Sequence, residues 1–152
     1  MRHISDRFVV VLDANVLYPY TKRDILLRFS EAGLYRARWS NMILDEWKRN
    51  VLADKPGVAE SLESQAAAME VVFPEACNDP GASLIDSLQL PDPNDRHVLA
   101  TAIVVNAEQI VTDNLKDFPE AALEPYGITA VSADDFLVST FELYEAEALT
   151  AL

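Results

Sequence analysis

Apolar positions along this chain alternate between two periods. The run Phe8-Val9-Val10-Val11-Leu12 is apolar without interruption, as in a strand buried on both faces of a parallel sheet. Helical spacing follows over 21–32, where Ile25, Leu26 and Phe29 form a stripe, Thr21 is the expected N-cap and Gly33 the stop. Tyr35–Trp39 reads as a short strand. Ser40 caps a helix over 41–53 with Ile43, Trp47 and Val51 on one face, and Pro56 opens another carrying Val58, Leu62, Ala66, Met69 and Phe73. Residues 74–93 read as loop, broken by Pro74, Pro80-Gly81 and Pro91; the apolar part 83–90 carries no decisive period. Asp92-Pro93 starts a helix that reaches about Asn106. Gln109–Thr112 and Ile128–Val131 are further strands, and Ser132 caps a C-terminal helix over about 133–150. Strands alternating with helices predict an α/β fold with a parallel sheet, whose ligand crevice lies beyond the carboxyl ends of the strands.

The 152 residues are expected to form one domain over 1–152, with a core over about 8–138. Half of the residues are hydrophobic and 24% are charged, which excludes a disordered or low-complexity chain. The longest apolar runs are far too short for a membrane span, and the first seven residues lack the apolar stretch of a secretory signal. With Cys77 as its single cysteine the chain forms no internal disulfide, so a cytoplasmic location is expected.

Charge divides the chain. Residues 1–55 carry 10 of the 12 Lys and Arg against 7 acids (net +3), whereas 56–152 carry 2 against 18 (net −16). The total of −13 argues against a simple nucleic-acid binder, but the basic first third can face a polyanion. Its candidates for such contact are Lys22, Arg23, Arg36, Arg38, Lys48 and Arg49, with Tyr18, Trp39 and Trp47 available for stacking.

Acids are common here, so position carries the argument. Asp13 directly follows the first buried strand, and Asp113 follows Thr112 at the end of another, with Asn114 and Asp117 in the same loop. Asp95 lies in the first turn of its helix, on the buried side with Val98, Leu99 and Ala102. Glu46 sits about 60° from Ile43 around its helix, at the rim of the apolar stripe. Two carboxylates about 5 Å apart repel by roughly 3 kcal/mol at an effective dielectric near 20, so a converging group calls for a divalent cation. Oxygen-only ligation selects Mg²⁺ or Mn²⁺, while His3, His97 and Cys77 have no zinc-ligand spacing. Carboxylate-bound Mg²⁺ suits phosphate chemistry.

Val10-Val11-Leu12-Asp13-Ala14-Asn15-Val16-Leu17 resembles the opening motif of PIN-domain ribonucleases. The segment 92–102, from Asp92-Pro93-Asn94-Asp95 to Ala102, resembles their third motif and 111–119 their fourth, with Glu46 where the second acid is expected. The resemblance implies a three-layer α/β/α sandwich with a central parallel sheet and Mg²⁺- or Mn²⁺-dependent cleavage of RNA. It points further to the VapC-like toxin branch, which implies a cognate antitoxin and a homodimer. Carried over by position, Asp13, Glu46 and Asp95 are metal-binding acids. The fourth place falls to Asp117 with Asn114 in support, and Asp113 stands as its rival. Asn15, Asp92 and Thr112 are supporting residues, Asn15 orienting Asp13 and Asp92 capping the helix that carries Asp95. Two other readings are a non-catalytic PIN-like module that binds RNA or protein, and a haloacid-dehalogenase-type phosphohydrolase. The latter typically needs a second Asp where this chain has Asn15.

Overall fold

The computed structural model describes residues 8–152; the readings of the N-terminal stretch and of His3 lie outside the described residues. Four parallel strands form one sheet in the order β2-β1-β3-β4: β1 (Val9–Leu12), β2 (Arg36–Arg38), β3 (Gln109–Val111) and β4 (Thr129–Val131). The register pairs Val11 of β1 with Arg38 on one side and Ile110 on the other. Val10, Val11 and Leu12 are fully buried, as their uninterrupted apolar run requires, and so are Ile110 and Val111 of β3.

The chain starts in the middle of the sheet, moves to the β2 edge, then crosses back to β3 and on to β4. Right-handed crossovers in opposite directions put helices on opposite faces, which is the expected α/β/α sandwich. The same path makes the gap between the ends of β1 and β3 the topological switch point, where such sheets bind ligands.

Nine α-helices surround the sheet among the described residues: α1 (Ala14–Leu17), α2 (Tyr20–Glu31), α3 (Asn41–Asp54), α4 (Ala59–Val72), α5 (Ala82–Ser87), α6 (Arg96–Val104), α7 (Glu120–Leu123), α8 (Ala133–Leu143) and α9 (Glu145–Ala151). None is long and apolar enough to cross a membrane. Ser40 and Ser132 cap α3 and α8 as expected, accepting from the backbone N–H groups of Ile43 and Asp135. Gly33 (φ 84°) stops the chain just past α2, and Asn106 (φ 55°) does the same after α6.

The structure corrects several expectations. Pro19 rather than Thr21 precedes α2, its backbone already extended (φ −71°, ψ 125°). The helix opened by Asp92 is one 3-10 turn, Pro93–Asp95, before α6 begins. The C-terminal helix breaks at Tyr144, which leaves the helical region (φ −130°, ψ 51°). The segment read as loop holds α5.

Candidate metal centre and its cleft

Asp13 is where β1 ends. Its backbone N–H makes a ladder bond to the Val111 carbonyl (3.0 Å), and its side chain then caps α1 by accepting from Ala14 N–H at 2.8 Å. The carboxylate is only 3% exposed, yet well held. The Thr112 hydroxyl donates to Oδ2 at 3.0 Å, and Asn15 Nδ2 donates to the same oxygen (3.3 Å) and to Thr112 Oγ1 (3.1 Å). Asn15 Oδ1 in turn accepts from Asp113 N–H at 3.0 Å, and Thr112 Oγ1 from Asn114 N–H at 3.1 Å. Two residues of the first motif and three of the fourth are thereby tied together across the switch point. A carboxamide, not an acid, stands on Asp13, which removes the acid/base group a haloacid-dehalogenase-type mechanism needs.

The 3-10 turn before α6 brings up the next acids. Asp92 caps it by accepting from Asn94 N–H at 2.9 Å. Asp92, Asp95 and Asp117 each offer a carboxylate oxygen, all within 4.8 Å of one another. Asp95 Oδ2 is buried and has no hydrogen-bond partner. Asn114 donates to Asp117 through its side-chain amide and so fixes that carboxylate.

Electrostatics match this crowding. Burial pushes the Asp95 carboxyl up to about 7, reinforced by the charges of Asp13, Asp92, Asp117 and Glu46. Burial likewise pushes Asp13 up to about 6, against the hydrogen bond from Thr112. Among the described residues no Lys or Arg pairs with these groups. Three carboxylates within ligand distance of one another, one of them with a buried, unpartnered oxygen, offer oxygen donors only and fit a hard divalent cation.

Glu46 reaches the site from α3, whose Ile43 and Trp47 are fully buried and set the rotation of the helix. His97 Nε2 lies 3.4 Å from Glu46 Oε1, while His97 Nδ1 is buried without a partner. The cleft that opens here has a volume of about 670 Å³, with Met42, Glu46 and Arg49 on one wall and Asp92, Asp95 and His97 on the other.

Of the expected acids the structure places Asp95 and Asp117 within ligand distance of each other and adds Asp92, while Asp13 and Glu46 lie outside that group, near enough for their charges to act on Asp95. Asp113 points elsewhere. Its Oδ2 pairs with Lys22 at 2.7 Å and its Oδ1 accepts from Ala133 N–H at 3.0 Å. Burial would raise this carboxyl, but Lys22 and the Ala133 N–H outweigh it and hold it below its ordinary value.

The basic candidates also separate. Lys22 is engaged by Asp113 and Lys48 by Glu63. Arg36 is exposed on β2, and Arg38 is half-buried, donating to the Ala37 carbonyl. Arg23, expected at the surface, is buried. It donates to the Leu17 carbonyl and Gln65 and lies over the rings of Tyr20 and Trp47, 5.3 and 5.0 Å from their centroids. Trp39 and Trp47 belong to the core, and Tyr18 donates to Asp54. Only Arg49 of the six lines the acidic cleft.

Sequence reasoning left His97 out of the site. It follows Asp95 by two positions, which on a regular helix is nearly the opposite face. The 3-10 turn before Arg96 shifts that phase and turns both toward the cleft.

The sequence model of the PIN domain matches residues 9–116, more than half of the chain. A stretch of 51 residues, 34% of the chain, is 59% identical to a Mycobacterium tuberculosis protein (strain ATCC 25618 / H37Rv) named "Putative ribonuclease VapC50". That stretch spans 30% of the relative's length.

Proposed function

The chain belongs to the PIN-domain family, and on that premise we propose that it is a Mg²⁺- or Mn²⁺-dependent endoribonuclease, the toxin of a toxin–antitoxin pair. The observation that carries the reading is the buried, unpartnered Oδ2 of Asp95, set against Asp92 and Asp117 and flanked by Asp13 and Glu46. Asp95, Asp13, Asp92 and Asp117 would hold the ion, with Glu46 completing the cluster from the facing wall. Bound there, Mg²⁺ or Mn²⁺ supplies the activation of water and the neutralisation of charge that phosphodiester hydrolysis needs.

The remaining tasks belong to the chain itself. Thr112 and Asn15 hold the Asp13 carboxylate in a single orientation, which lowers the reorganisation needed on binding. Asn114 does the same for Asp117, and His97 Nε2 stands 3.4 Å from Glu46 Oε1. An open cleft between two helices admits a polymer strand and leaves both of its ends outside. On this reading, cleavage would leave a 5′-phosphate and a 3′-hydroxyl. RNA as substrate is supported by the name of the Mycobacterium tuberculosis relative; the antitoxin partner and a homodimer rest on the resemblance to VapC-like toxins. The reading covers the chain as one domain in the cytoplasm.

Single-stranded RNA incubated with the protein and Mn²⁺, with and without chelator, tests the reading. Cleavage should require the metal and disappear in Asp13→Asn and Asp95→Asn. Metal-independent cutting, or full activity in either variant, rejects it.

A further inference from the structure

The α3 wall of the cleft is a single helical stripe of Met42, Asp45, Glu46, Arg49 and Asn50. With Asp92 and Asp95 opposite, four carboxylates line this space, and among the described residues Arg49 is its one cationic side chain. Asp45 stands four positions before Arg49, the spacing and polarity at which acid and arginine pair best on a helix. In α2 the same spacing does produce a pair, Asp24 with Arg28 at 3.0 Å. Arg49 makes no such bond: among the described residues it has neither a hydrogen-bond nor an ion-pair partner, and it is exposed.

A guanidinium that stands free among four carboxylates is available to an anion brought from outside. Its fork matches two oxygens of a phosphodiester. It also meets a need, because a polyanionic strand approaching this cleft is otherwise repelled. The neighbouring carboxamides of Asn50 and Asn94 add donors without adding charge. We propose that Arg49 anchors a backbone phosphate of single-stranded nucleic acid and so positions the strand across the acidic cluster. The proposal rests on the nuclease reading and assigns to one residue the contact that the basic first third was expected to share.

Binding of a short fluorescein-labelled single-stranded RNA, followed by anisotropy over a series of KCl concentrations with Ca²⁺ in place of Mg²⁺, tests it. Arg49→Gln should raise Kd by roughly tenfold or more. It should also make the slope of log K against log salt shallower by about 0.7, the loss of one phosphate contact. Arg49→Lys should keep the slope and recover part of the affinity, and Mn²⁺ affinity should be the same in all three proteins. If Arg49→Gln binds with unchanged affinity and slope while the unaltered protein cuts the same RNA in Mn²⁺, the anchor is wrong and the nuclease reading stands. Loss of Mn²⁺ affinity in Arg49→Gln would make the residue structural and overturn the anchor as well. If the unaltered protein neither binds nor cuts RNA, both readings fall.

Discussion

Two acidic regions lie at the end of β3, four residues apart in sequence, and they are resolved in opposite ways. At Asp113 the fold supplies its own cation and donor, Lys22 and the Ala133 N–H, and the carboxyl is held below its ordinary value. At Asp95 and Asp117 the fold supplies further acids and burial, and the Asp95 carboxyl is pushed up to about 7. The first arrangement is complete as it stands and ties the β3 end to α8. The second has unmet charge and an oxygen with nothing to bond. Counting acids does not separate the two; counting compensating partners does.

The sharpest way to break this comparison is to neutralise one acid from each region. Asp95→Asn should lower metal-dependent RNA cleavage by about 10³ or more, the several kcal/mol a metal contributes to the transition state. Asp113→Asn should stay within about fivefold, since an exposed ion pair is worth at most about 1 kcal/mol. Equal losses in initial-rate assays would show that the two regions form one site.

A smaller effect is expected from the residues that hold Asp13. Thr112→Val keeps the shape of the strand end and removes both the donor to Asp13 and the acceptor for Asn15 and Asn114. Mn²⁺ affinity measured by calorimetry should fall by about 10–100-fold. Unchanged affinity would mean that burial alone orients the carboxylate.

The smallest effect concerns stability and has the opposite sign from ordinary mutations. Burial pushes the folded-state carboxyls of Asp13 and Asp95 up to about 6 and about 7, well above the ordinary aspartate value near 3.9. Between about pH 4 and pH 7 the folded chain keeps protons that the unfolded chain has lost, so the contribution of these groups falls as pH rises through that window. In the metal-free protein, Asp13→Asn should therefore raise stability at pH 8 by about 1–2 kcal/mol and make little difference near pH 4. Denaturant unfolding at the two pH values measures this. A destabilised variant at pH 8 would mean that the Thr112 and Ala14 hydrogen bonds outweigh the desolvated charge.

Much of this was legible before the fold was known. The unbroken apolar run identifies β1 because a strand covered on both faces has no polar positions there, the β-branched pair Ile110-Val111 marks β3, and Asp13 and Thr112 follow directly at their ends. Asp95 and Glu46 are legible through helical phase. What was not legible depends on backbone path over a few residues. Which of Asp113 and Asp117 turns inward is set by the 3-10 turn Leu115–Asp117, too short to leave a period. Asp92 reads as a cap and is one, yet capping leaves a carboxylate oxygen free for a second task. Arg23 misleads because residue type predicts exposure, whereas its guanidinium is satisfied inside by two acceptors and two rings.

That buried guanidinium has a consequence for the whole front of the molecule. It joins the end of α1, the first turns of α2, Trp47 of α3 and Gln65 of α4. Trp47 is the sequence neighbour of Glu46, and Arg49 lies two positions further on. The helix that carries both is therefore held from behind by a buried side chain. A shorter or single-pronged side chain at position 23 would strip these contacts from behind α3, and catalysis would suffer from an injury located away from the cleft.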